Sequence, residues 1–265
     1  MHMSRVNEIR SFIEFDSKEQ HIIEPEYRKD AIIERLKDVI KTYSPGIIVK
    51  IGIGNDNLLL DLLDMTKSYM VVVEPSENLI HAFLKKNENH AGIQRCQFII
   101  GQYEDFPVDY YKADMVVCID YFDFLDTSRA LDEFKRALEI DGILFFGGVV
   151  LSNDDIDGIY DELMHRIYPV HNDYYLEDDL KTFLSLKGFD LVKSHVIPFD
   201  IDIHEEVEYM KGFSPDIDMG VVEGFIEENR DIFEHYYNLH ENTKMRQYYM
   251  IAAFMRLKPD TESTL

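Results

Sequence analysis

Apolar residues along this chain recur with two different periods. Between Glu26 and Thr42 the positions Ile32, Ile33, Leu36, Val39 and Ile40 fall on one face of a helix, and Ser4 to Phe15 reads as a shorter helix ahead of it. Ser44-Pro45-Gly46 then ends the helical spacing. From there short unbroken apolar runs alternate with amphipathic segments. The runs predict strands at Ile47–Ile51, Tyr69–Val73, Gln97–Ile100, Met115–Ile119 and Ile143–Val150. The segments between them predict helices at Asp56–Asp64, Ser76–Asn87 and Ser128–Glu139.

Strands that are apolar on both faces belong to a parallel sheet covered by helices on each side. The expected fold class is therefore α/β, a Rossmann-like three-layer sandwich. Right-handed crossovers put the C-terminal ends of such strands on one edge, so the loops after Ile51, Val73, Ile100 and Ile119 converge there. The pattern changes after Val150. Asp154–Ile167 and Leu176–Lys187 read as helices, the second stopped by Gly188, and Phe189–Ile197 reads as a strand ended by Pro198. Residues 199–244 are acidic and aromatic-rich, with helices expected at His204–Met210 and Val221–Leu239. Tyr248–Leu257 is a last apolar strand, and Lys258–Leu265 a polar tail. The expected organisation is a helical cap over residues 1–44, a core over 45–198 and 245–258, and a helical insertion over 199–244 that can act as a lid.

Composition narrows the partners. The chain has 265 residues, 46% of them apolar and 12% aromatic, ample for a buried core. Its 51 acidic and 27 basic residues give a formal net charge of −24, a surface that repels phosphate backbones and anionic lipid. Neither nucleic acid nor a membrane is expected as a partner. A homo-oligomer is left open. Cys96 and Cys118 lie in strand-like runs and read as buried free thiols of a reducing compartment. No apolar run reaches membrane-spanning length and no apolar signal core is visible, so the expected location is the cytoplasm.

The most informative chemistry lies at the end of the first core strand. Lys50-Ile51-Gly52-Ile53-Gly54-Asn55 leads that strand through a Gly-x-Gly turn into a helix, and the next strand ends in Glu74. Glycines let backbone N–H groups approach a ligand, and a helix N-terminus points at it. A carboxylate at the end of the second strand falls where ribose hydroxyls need an acceptor. Glycines in a plain turn and a solvated Glu74 are the bland alternative. The combination of strand, Gly-x-Gly, helix and downstream acid favours an adenosine cofactor.

The order of segments resembles the class I S-adenosylmethionine-dependent methyltransferases over roughly Pro45 to Val196 plus the final strand. The likeness rests on Lys50 to Asn55, on Val73-Glu74-Pro75-Ser76, on Gly101-Gln102-Tyr103-Glu104-Asp105-Phe106-Pro107 after the third strand, and on Ala113 to Asp120 in the fourth. Leu138-Glu139-Ile140-Asp141-Gly142-Ile143-Leu144 and the stretch from Tyr174-Tyr175-Leu176 to Gly188-Phe189 add to it. The resemblance implies a seven-stranded, mostly parallel sheet with an antiparallel last strand. It also implies S-adenosylmethionine held by Lys50, Gly52, Gly54, Asn55, Glu74, Pro75, Gln102, Tyr103, Glu104, Asp120 and Tyr121. Two positions depart from the family pattern. Lys50 stands where an acid is usual near the cofactor's amino group, and Gln102 where Asp is common near the adenine. Gln102 still offers a carbonyl acceptor. Lys50 either snorkels out of the sheet edge or marks an altered ligand, such as one bearing a carboxylate.

The late histidines and tyrosines supply candidates for acceptor contact, with His171, Tyr174 and Tyr175 foremost: tyrosine rings can wall a substrate, and histidine can take a proton from a nucleophile. For most of these aromatics ordinary core packing suffices. His204-Glu205-Glu206 with His235 and His240 matches no standard ligand spacing, so no metal is expected. The leading reading is a methyltransferase acting on a small molecule. The alternative is a non-catalytic ligand- or partner-binding protein on that scaffold. A nicotinamide oxidoreductase ranks last, because the third fingerprint glycine is replaced by Asn57.

Overall fold

The structure is a computed structural model that describes residues 2–110 and 112–258. Most of the polar tail therefore lies outside the described residues. Two helices, α1 (His2–Asp16) and α2 (Glu26–Tyr43), precede β1 (Ile47–Ile51), α3 (Asp56–Met65), β2 (Tyr69–Glu74), α4 (Glu77–Lys86), β3 (Cys96–Ile100), β4 (Ala113–Ile119), α5 (Thr127–Ala137) and β5 (Leu138–Val150). Then follow α6 (Ile159–Ile167), α7 (Glu177–Leu186), β6 (Phe189–Asp202), α8 (Ile203–Met210), α9 (Met219–Glu228), α10 (Arg230–Tyr237) and β7 (Lys244–Arg256).

Among the described residues these strands form one seven-stranded sheet in the order β3-β2-β1-β4-β5-β7-β6. The first five are parallel, and β7 runs antiparallel between β5 and β6. Two apolar layers cover its faces. On one, Ile32 and Leu36 of α2 and Leu58 and Leu62 of α3 pack against Ile48, Val72 and Val117. On the other, Leu131 and Phe134 of α5 join Val49, Val73, Val116 and, from α1, Phe12. The alternation of Ile48 and Val49 between these layers is the period-two alternation of a buried strand.

Four boundaries differ from the sequence reading, each for a local reason. Strand β6 does not stop at Pro198 but continues to Asp202, paired with β7 from Lys244 onward. It is the edge strand, where a residue without an N–H is tolerated. Residues 199–202 and 244 thus belong to the sheet and not to the helical insertion. The segment expected as one helix over Val221–Leu239 is two, α9 and α10, divided at Asn229, whose side-chain amide donates to Phe225 O at 2.9 Å. Helix α6 begins at Ile159, not Asp154, because Gly158 takes φ 69. Strand β5 starts at Leu138, which pairs with Ala113 across a register shift.

Asp155 ties the insertion to the core. Its carboxylate accepts from Ile159 N at 2.9 Å and Tyr160 N at 3.0 Å at the start of α6, and from the Tyr237 hydroxyl of α10 at 2.6 Å. Removing it leaves buried donors unmatched. We predict that Asp155→Ala costs about 2–4 kcal/mol in urea unfolding and Tyr237→Phe about 1–2 kcal/mol. Equal stability of both variants and the parent chain would contradict this attachment.

Candidate functional site

The loops after β1, β2 and β4 meet where the sequence predicts. Gly52 has φ 70 and Gly54 φ 59, conformations that side chains rarely adopt. Asn55 caps α3, its side chain accepting from Asn57 N and Leu58 N. Glu74 points into this turn. It accepts from Ile53 N at 3.1 Å and Ser76 N at 3.0 Å, and the Tyr103 hydroxyl donates to it at 3.4 Å. The glycine turn and the Glu74 carboxylate thus meet at one edge, which we call the cradle. Pro75 beside it is half-buried.

The space above that backbone is taken by the protein itself. The Tyr121 ring lies over Gly52, where even one added methyl group would collide with it, and the Tyr121 hydroxyl accepts from Gly54 N at 3.1 Å. Tyr103 packs edge-on against Tyr121 with 5.0 Å between ring centres. The Glu24 carboxylate lies over Gly54 in the same way. It contacts Lys50 Nζ at 2.6 Å and accepts from Asn55 N at 2.8 Å. Lys50 Nζ also donates to Gly52 O at 3.0 Å and Ile53 O at 3.1 Å. Glu24, Lys50 and Glu74 are wholly buried.

Lys50 thus does not snorkel to the edge: it is wholly buried, and the carboxylate it meets in this structure is Glu24. Nor does Asp120 stand open at the end of β4. It pairs with Arg28 at 3.2 Å and accepts from Glu24 N at 2.9 Å. Arg28 also donates to Gln247 of β7, whose amide donates to the Tyr160 hydroxyl at 2.9 Å.

The other predicted residues divide between two neighbouring spaces. Tyr174 borders a cavity of about 20 Å³ with Arg28, Asp120 and Asp123, room for little more than a water molecule. Gln102, Glu104 and Tyr175 border a cavity of about 840 Å³ between α1 and the start of α5, and neither Gly52, Gly54 nor Glu74 lines it. Gln102 and Glu104 therefore do not join Tyr103 at the cradle: the tight turn over 102–105 buries Tyr103 and leaves Gln102 exposed and Glu104 half-buried. A space of about 220 Å³ remains beside Gly54, smaller than the usual range for small-molecule sites.

His171 faces neither space. Its Nε2 meets Asp161 Oδ1 at 2.8 Å and its Nδ1 meets Asp123 Oδ2 at 3.3 Å. Burial opposes its protonation, but the two carboxylates outweigh it and push the imidazole up to about 9. His171 is a buried cation that locks the 168–174 turn to α6. Asp161, His165 and His171 bring their ligand atoms within 4.8 Å of one another, a grouping that the sequence reading did not single out. The Asp-x3-His spacing on α6 was the available signal. Glu24 and Arg28, which do most to shape the site, left none: a turn residue and a helix-start arginine look like solvated surface.

Residues 49–146 match the family model described as a methyltransferase domain. No curated protein matches the chain. A proposed methyltransferase of Bacillus halodurans superposes with a TM-score of 0.75 at 14% identity, covering 86% of this chain and 100% of that one. The YcgJ protein of Bacillus subtilis gives 0.68 at 16% identity, covering 85% and 99%. The geranyl diphosphate C-methyltransferase of Streptomyces coelicolor, solved with Mg2+, a geranyl-S-thiolodiphosphate and S-adenosyl-L-homocysteine, gives 0.56 at 12%, covering 84% and 76%. At these identities the likeness is one of fold.

Burial without a cation in contact raises the Glu74 carboxyl to about 7, its backbone donors only partly offsetting the cost. The folded chain then keeps a proton that the unfolded chain, titrating near the ordinary value of 4.5, gives up. The stability from Glu74 is full below that ordinary value and is lost as pH rises through about 7, up to about 3 kcal/mol. Urea unfolding should show a weaker fall in stability between mildly acidic and mildly alkaline pH for Glu74→Gln than for the parent chain. Parallel profiles would refute the assignment.

Proposed function

We propose that the chain is a class I S-adenosylmethionine-dependent methyltransferase that methylates a small-molecule acceptor in the cytoplasm. The observation that carries this reading is the convergence of the left-handed Gly52 and Gly54 with Glu74 on Ile53 N at the β1–β2 edge. When bound, S-adenosylmethionine supplies a methyl group already activated by its sulfonium, so the protein has to bind, align and exclude water. Gly52, Gly54, Asn55 and Glu74 are the residues to hold it. The side chains as arranged leave no room there, so the reading requires Tyr121 and Glu24 to withdraw first.

A small acceptor fits the rest of the molecule. The net charge of −24 disfavours nucleic acid, and the cavity of about 840 Å³ beside Tyr175 and Phe183 is of small-molecule size. The geranyl diphosphate methyltransferase of the same fold acts on such a molecule. Tyr175 would wall the acceptor, Tyr174 would back the adjoining Asp120–Arg28 pair, and His171 would act through its hold on Asp123. A second reading, a non-catalytic ligand- or partner-binding protein, is favoured by the filled cradle itself.

Methyl-tritiated S-adenosylmethionine given to the purified protein with a cell extract tests these readings. Label in a dialysable product chromatographically distinct from S-adenosylmethionine, above that made by the extract alone, is expected. Label in protein or nucleic acid would refute the small acceptor, and no transfer in any fraction would favour the non-catalytic reading. Gly52→Ala should abolish transfer, and Glu74→Ala should weaken cofactor binding by roughly ten- to a hundredfold, the worth of a buried hydrogen-bond acceptor.

A further inference from the structure

Two non-glycine residues in left-handed conformations meet over the cradle. Glu24 has φ 50 and Asp120 φ 58, and the N–H of the first donates to the carboxylate of the second at 2.9 Å. Such conformations persist where the surroundings over-determine them, and here they do. Upstream, Asp16 accepts from Ile22 N and Ile23 N, each at 2.9 Å, and from the Tyr209 hydroxyl at 2.7 Å. Downstream, Arg28 at the start of α2 is held by Asp120 and Gln247. Between these anchors the Glu24 carboxylate reaches the N-terminus of α3, the place where this architecture receives the polar part of a ligand. The Glu24 carbonyl accepts from the Asn55 side-chain amide at 3.1 Å.

Lys50 makes sense in this arrangement and in no open one. Its ammonium has three donors and meets three acceptors, Glu24 Oε1, Gly52 O and Ile53 O, with no exposure to solvent. With Glu24 withdrawn it would be a cation facing the cofactor's own ammonium. The residue that departs from the family pattern is the one that holds the segment down.

We infer that the Ile22–Arg28 segment, with Tyr121, is a latch that occupies the cofactor cradle, and that the Glu24–Lys50 ion pair is its catch. S-adenosylmethionine enters only after the catch is released. The latch stands on the geometry above; what it keeps out rests on the proposed function.

Amide exchange and ligand binding separate the two. Glu24→Ala alone strands a buried lysine and can fail to fold, so Glu24→Ala/Lys50→Met, which removes both charges, is made beside it. Exchange at Ile53–Asn55 and over residues 22–28 should rise at least tenfold in the folded variant, with other core strands unchanged. S-adenosylhomocysteine, titrated calorimetrically, should bind at least tenfold more tightly than to the parent chain. Raised exchange with no binding by either protein would uphold the latch and remove the methyltransferase reading. Unchanged exchange, or a parent chain that binds as tightly as the variant, would overturn the latch and leave that reading standing.

Discussion

The ion pair between Glu24 and Lys50 is the interaction on which the arrangement of this site depends. Both groups are wholly buried, and neither could be left there alone. A lone charge in such surroundings costs several kcal/mol, whereas a pair with its remaining hydrogen bonds satisfied is tolerated. Lys50 is fixed by β1 at the centre of the sheet, so its requirement for a partner falls on whatever covers the sheet edge. The covering element is the turn between α1 and α2, and one carboxylate on it meets the demand.

The rest of the edge follows from that placement. Once Glu24 is drawn down onto Asn55 N, its own N–H lies against Asp120, and Asp120 in turn holds Arg28. Arg28 lies over the Tyr249 ring at 4.6 Å and reaches Gln247, so the cap is joined to the last strand. Asp16 and His21 carry the same connection to the insertion, through Tyr209 and Glu206. Cap, sheet edge and insertion are linked through buried polar contacts, while the apolar layers beneath hold the sheet regardless of what the edge does. Networks of this kind specify one arrangement, because partial satisfaction is costly.

This separation explains how a methyltransferase fold can carry a closed cradle. The sheet order, the glycine turn and the acid at the end of β2 depend on strand pairing and backbone conformation, and they are intact. Access to them depends on a short segment held by its own polar contacts and by the buried side chain of Ile23. Stability of the fold and availability of the site are thus set by different residues.

Periodicity and turn chemistry alone determined the strand and helix succession through β5, the parallel core, and the convergence of Gly52, Gly54 and Glu74 at one edge. These are local properties: a buried strand reads as an apolar run, and a left-handed turn calls for glycine. Lys50 could be recognised as out of place but not resolved, because its partner lies far from it in the chain, on a turn without periodicity. Only the tertiary structure decided that Tyr121 and Glu24 fill the cradle, that Gln102 and Glu104 face a different cavity from Tyr103, and that β6 runs on through Pro198. Each of these depends on which distant side chain arrives at a given point in space. Such meetings are settled by the balance of buried charge, packing and edge position, none of which leaves a period in the sequence.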